Sequence, residues 1–219
     1  MYAYIDVLFG IREKVARDGV LKPRYLTTDS QMVNVMPPYL LVPEAFCIAY
    51  AKDNGDIVPI FHKSVSDAGR SQPKEILEKL SLALYEVAGV PGNSSTELVG
   101  WNLDRIIIPA LCANALAFNV KLPQRYFRQL NDKWAKTGVY SVERAFWQGW
   151  YATDHSHDGD QAMQLTLTDA SNLAGIDTPE AIYKSMGEGD SEELLLASRL
   201  AVISNLFGRY QDLLAPQKS

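Results

Sequence analysis

Four groups of residues in this chain are of the right type and spacing to do chemistry. Asp6 is the only acid in the apolar run Ala3 to Phe9. A carboxylate so placed is either a metal ligand or an acid satisfied by backbone hydrogen bonds. The densest metal-capable group is Asp154-His155-Ser156-His157-Asp158-Gly159-Asp160. Imidazole and carboxylate together suit Zn²⁺ or Mn²⁺, while the Ser and Gly content equally fits an exposed loop. In residues 121–136, Lys121, Arg125, Arg128, Lys133 and Lys136 face a single acid, Asp132, with Tyr126, Phe127 and Trp134 interleaved. Basic side chains attract phosphate and aromatic rings stack on bases, which is how single-stranded nucleic acid is held. An amphipathic helix with its rings in the core has the same pattern. Lastly, Phe146, Trp147, Trp150 and Tyr151 form an aromatic segment over 146–151, fit for core packing or for a protein partner.

Other chemistries are missing from the sequence. It has no Gly-rich phosphate loop, nucleophile elbow or Cys-x-x-Cys pair. Cys47 and Cys112 both lie in apolar surroundings and read as buried thiols. His62 stands alone after an apolar run and reads as structural.

Several elements must position these groups. Ala3 to Phe9 reads as a buried strand, followed by an irregular, Pro-containing stretch to about Pro43. The runs Ala45 to Ala51 and Ile57 to Phe61 flank Asn54-Gly55, the strongest short hairpin signal. Leu77, Leu80, Leu84 and Val87 recur at helical spacing, with Gly89 as the stop. Leu98 to Trp101 reads as a strand, and Asn102 and Asp104 as caps for an apolar helix running to about Asn119. Residues 121–153 resist parsing. Thr166 to Asp169 is a capping-box pattern for a short helix ending at Gly175. Thr178-Pro179 opens another helix, and Ser191 caps a long one to about Leu214. Strand, hairpin, helix, strand and helix in that order imply an α/β fold, with a mixed sheet under helices and a helical second half. The length of 219 residues points to a single domain over 1–219.

This order resembles the ribonuclease-H-like core, and within it the DNA-polymerase-B-like 3′–5′ exonucleases of the DEDD type. Leu98-Val99-Gly100-Trp101-Asn102, followed by Ile107, Pro109 and Leu111, is similar to the family's second motif. Thr166 to Ile176 (TLTDASNLAGI) is similar to its short Ser-Leu-x-x-Leu-Ala helix. The resemblance implies metal-assisted phosphodiester hydrolysis. Two divalent ions held by carboxylates from separate elements would activate water and stabilise the leaving oxygen.

The acids that chemistry needs are mostly replaced. Asp6 matches the family's first acid, but Leu8 stands where a Glu belongs and Ile107 where an Asp belongs. On the last helix the matching stretch is Arg199-Leu200-Ala201, and Ala201 takes the acid's position. Leu, Ile and Ala supply no oxygen ligand. The resulting expectation is a pseudo-enzyme, a degenerate exonuclease that binds nucleic acid or protein and needs no cofactor. Candidate nucleic-acid contacts are Asn102, Lys121, Arg125, Arg128, Lys133 and Trp134. The alternatives are an active nuclease using Mg²⁺ or Mn²⁺ and an interaction subunit of a larger complex. The active form would rebuild its site from Asp6 with Asp104, about one helical turn before the usual position, or with acids of the 154–160 loop; the candidate metal ligands are Asp6, Asp104, His155 and His157.

Bulk properties narrow the partners. A net charge of −5 at pH 7 disfavours a broad electrostatic grip on nucleic acid, though not a local basic groove. Ordinary composition, 47% hydrophobic and 21% charged, is that of a globular protein. No apolar run is long enough to span a bilayer, and Asp6 spoils the start as a secretion signal; no membrane association and a cytoplasmic location are expected.

Overall fold

The computed structural model describes residues 2–11, 27–28, 37–51, 57–63, 72–89, 96–127, 138–147, 165–187 and 191–214. Its centre is a five-stranded mixed sheet of order β3-β2-β1-β4-β5. The strands are β1 (Tyr2–Ile11), β2 (Leu41–Ala51), β3 (Ile57–Lys63), β4 (Glu97–Gly100) and β5 (Val139–Ser141). β1, β2 and β3 pair antiparallel, whereas β4 runs parallel to both β1 and β5. This is the mixed sheet expected from the sequence, and β2 and β3 form the expected hairpin. The helices are α1 (Pro73–Gly89), α2 (Ile108–Phe118), α3 (Gln124–Phe127), α4 (Arg144–Trp147), α5 (Leu167–Ala174), α6 (Pro179–Ser185) and α7 (Glu192–Leu214).

Alternation along β1 divides the interior in two. Ala3, Ile5, Val7 and Phe9 join α1 and α2 in one core, including Leu77, Leu80, Leu84 and Ile107. Leu8 looks the other way, with Ala45, Cys47, Val99 and Trp101, onto α5 and α7. Tyr2 and Tyr4 pack on this second core as well, and Phe207 meets both rings edge-on. With Cys47 in one core and Cys112 packed against the other, the two thiols lie on opposite faces of the sheet and stay free. Burial pushes Cys112 up to about 11, and burial with the neighbouring Asp6 pushes Cys47 up to about 12. Both are thiols at neutral pH.

Three sequence expectations need correcting. The irregular stretch before Pro43 ends early, because β2 already begins at Leu41. Pro43 is tolerated inside a strand because the register to β1 shifts between Leu8 and Phe9, and pairing with β3 begins only at Ala45. Within residues 121–153 lies a fifth strand, β5, too short for any alternating pattern to show. Asn102 does not cap a regular helix: it sits left-handed at φ 52°, ψ 33°, with no side-chain cap bond. Ile106 and Ile107 both donate to its carbonyl, so a wide π turn (Leu103–Ile107) precedes α2. The downstream caps are as expected: Thr166 and Asp169 form a reciprocal capping box, and Thr178 caps α6. Ser191 Oγ accepts from Leu194 N at 3.1 Å at the start of α7.

Gly100 ends β4 in close contact with the β1 backbone. A Cβ there would lie 2.9 Å from the Ile5 carbonyl oxygen, and backbone cannot swing aside as a side chain can. Gly100→Ala is expected to lower stability by about 1–3 kcal/mol in urea unfolding; an unchanged midpoint would contradict this packing.

Candidate functional site

β4 stops at Gly100, the partner of Ile5, while β1 continues past it. Asp6 is therefore the first β1 residue beyond the parallel pairing, at the carboxyl edge of β4, where open α/β sheets place their ligands. It is fully buried, on the face that meets α7. From α7 Arg199 reaches down, and its Nε donates to Asp6 Oδ2 at 2.5 Å. Both side chains are enclosed, at 4% exposure for Arg199 and 0% for Asp6. Thr28, from the connection between β1 and β2, completes a triangle. Its hydroxyl donates toward Asp6 Oδ1 at 3.5 Å and accepts from Arg199 Nη2 at 3.0 Å.

A second polar group adjoins the first through Asn102. The Asn102 side-chain amide donates to the Thr28 carbonyl at 2.9 Å, and its backbone N–H donates to Glu143 Oε2 at 2.8 Å. Glu143, just past β5, is buried and also accepts from Ser141 Oγ, which in turn accepts from Leu103 N. These bonds hold the left-handed turn after β4 and tie it to the ion pair. Burial raises the Glu143 carboxyl above its ordinary range, against the bonds from Ser141 and Asn102 and the charge of Arg105.

The positions singled out from sequence are dispersed by the fold. Leu8 faces the second core and Ile107 the first, so neither adjoins an oxygen-rich cavity. Ala201 is exposed; the residue of that stretch aimed at Asp6 is Arg199, two positions earlier. Asp104 pairs with Arg144 on α4. Lys121 is exposed, and its carbonyl accepts from Ser81. Arg125 packs beside Gly138 and Thr96, at the amino ends of β4 and β5, while Asn102 lies past the carboxyl end of β4. Tyr126 is fully buried, as the core reading of that segment has it. Arg128, Lys133, Trp134, His155 and His157 lie outside the described residues, as do Trp150 and Tyr151. Phe146 is part-exposed, with its ring edge-on to Trp101. His62 packs against Phe46, and burial together with Lys79 lowers its pKa.

Among the described residues no three His, Cys, Asp or Glu side chains come together as metal ligands. At Asp6 the guanidinium supplies the positive charge that a carboxylate in low dielectric requires, and a divalent ion at the same oxygens would meet repulsion from it. The sequence pattern gives no functional role to Arg199, Thr28 or Glu143. For Arg199 a signal existed: it falls on the buried stripe Leu196, Leu200, Ile203 and Phe207, where a charge needs a buried partner. Thr28 and Glu143 have no comparable local mark.

No known family matches the chain, and no curated protein does. Solved structures that resemble it include two that match over 97% of its length at 12% identity and a TM-score of 0.44. One is an exonuclease I complex described as ExoI/SSB-Ct, the other a product-bound exonuclease I. The chain spans 43% and 45% of those two proteins. At that level the likeness assigns neither family nor activity. No described helix is long and apolar enough to cross a membrane.

Two predictions follow from the buried network. Asp6→Ala strands a buried guanidinium and should cost about 3–5 kcal/mol, whereas Asp6→Leu with Arg199→Met should recover most of that loss. Equal losses in the single and double variants, by urea unfolding, would contradict the pairing. The raised carboxyl of Glu143 gives a signed pH effect. Its contribution is complete below the unfolded carboxyl pKa and is lost as pH rises through the higher folded value. As pH rises above about 4, the wild type should therefore lose stability relative to Glu143→Gln; a gain would contradict the assignment.

Proposed function

We propose that this chain is an exonuclease-like scaffold whose central site holds an internal ion pair in place of metal, and that it acts by binding rather than by hydrolysis. One observation carries the reading: Asp6, the only acid kept from the motif pattern, is buried against Arg199. Phosphodiester hydrolysis at neutral pH by this kind of site needs a hydrated divalent ion beside the scissile bond. Here the carboxylate is neutralised, enclosed by Thr28, and flanked on its own strand by apolar Leu8. Closing such a site with protein groups also removes the mutual repulsion that clustered acids impose on an unliganded fold.

The ligand of the scaffold is, on this reading, a macromolecule contacted outside the central site. Lys121 and Arg125 with the rest of residues 121–136 are the proposed contacts for single-stranded nucleic acid. At a net charge of −5, such binding would be local and strongly salt-dependent.

The test is an end-labelled single-stranded oligonucleotide incubated with the protein and either Mg²⁺ or Mn²⁺, alongside thermal melting with and without each ion. No shortening and an unchanged melting temperature are expected. Ion-dependent shortening that co-purifies with the folded protein through successive columns would overturn the proposal.

A further inference from the structure

A groove of about 660 Å³ lies far along α7 from the ion pair, between its last turns, the C-terminal end of α5 and the short helix α4. Leu206, Arg209, Tyr210 and Leu213 line it from α7 at spacings of three and four, so they form one stripe of that helix. Leu173 and Phe146 line the opposite walls. The apolar groups are unusually open: Leu213 is 83% exposed and Leu173 72%. Scattered exposed leucines are ordinary, but here they share one concave surface.

Charge identifies the occupant. Arg209 and Asp212 flank the groove three residues apart on the same helix, and neither forms an ion pair among the described residues. Arg209 spends one N–H on the Ala174 carbonyl and keeps its other donors. A helix bearing a cation and an anion this way is complementary to itself reversed. If two copies of α7 cross antiparallel about a twofold axis midway between 209 and 212, each Arg209 faces the partner's Asp212 and each Asp212 the partner's Arg209. Leu213 lies on the same stripe as Leu206 and Tyr210, so this axis turns the two apolar stripes toward each other, with Leu173 and Phe146 beside them.

We propose that this face is the interface of a homodimer, with two α7 C-terminal ends packed antiparallel and locked by reciprocal Arg209–Asp212 pairs. The proposal is independent of what happens at Asp6. Sedimentation of the full chain over a concentration series should show a monomer–dimer equilibrium that weakens with added salt. Leu213→Glu, at a site with no packing role inside one copy, should weaken dimerisation about tenfold or more while leaving the melting curve of the monomer intact. Arg209→Asp should do the same by facing acid with acid, and Arg209→Asp combined with Asp212→Arg should restore the dimer. A chain that stays monomeric at every concentration, or a dimer indifferent to Leu213→Glu and to the charge reversal, would overturn the proposal; the first result would leave the groove to a different protein.

Discussion

A buried carboxylate must be matched by positive charge or by hydrogen bonds, and the centre of this fold is organised around how Asp6 meets that requirement. Arg199 reaches it from 193 residues away in sequence. The pair thereby joins the first strand to the last helix. Thr28 and Asn102 extend the bonding to the β1–β2 connection and to the turn after β4. Elements from both ends of the chain and from its middle thus converge on one carboxylate. Such a pair is weak evidence for net stability, since apolar groups of like volume often do as well. Its better-supported role is to specify register. α7 cannot slide along the sheet by a turn without leaving two charges buried and unmatched.

The chemical consequence is that positive charge at this point is covalently part of the chain. A carboxylate site that recruits Mg²⁺ is electrostatically incomplete until the ion arrives, which is what lets the ion be both structural and catalytic. On the proposed reading, the guanidinium of Arg199 completes the site in place of an ion and leaves no ion-bound water for that chemistry. Leu8 and Ile107 are consistent with this, each absorbed into an apolar core rather than into a polar cleft.

The layers of the fold were legible from sequence because their signals are local. Asn54-Gly55, itself outside the described residues, marks the β2–β3 pairing, the spacing of Leu77, Leu80, Leu84 and Val87 the α1 stripe, and Thr166 with Asp169 the capping box. What escaped was whatever depends on contacts distant in sequence. A three-residue strand such as β5 has no periodicity to read, and Pro43 hides a strand unless the register shift beside it is known. The site was half legible. Asp6 stands out as an acid in an apolar run, but its partner Arg199 is distant in sequence and lies two residues before Ala201, the position that matches the motif. Helical phase is the corrective: Ala201 faces solvent, and Arg199 lies on the buried stripe.

The most direct measurement of this account is the anomalous scattering of crystals of the protein soaked in Mn²⁺. The account predicts guanidinium density against Asp6 and no anomalous peak within coordination distance of its carboxylate. A manganese peak bound to Asp6, with Arg199 turned away, would contradict it.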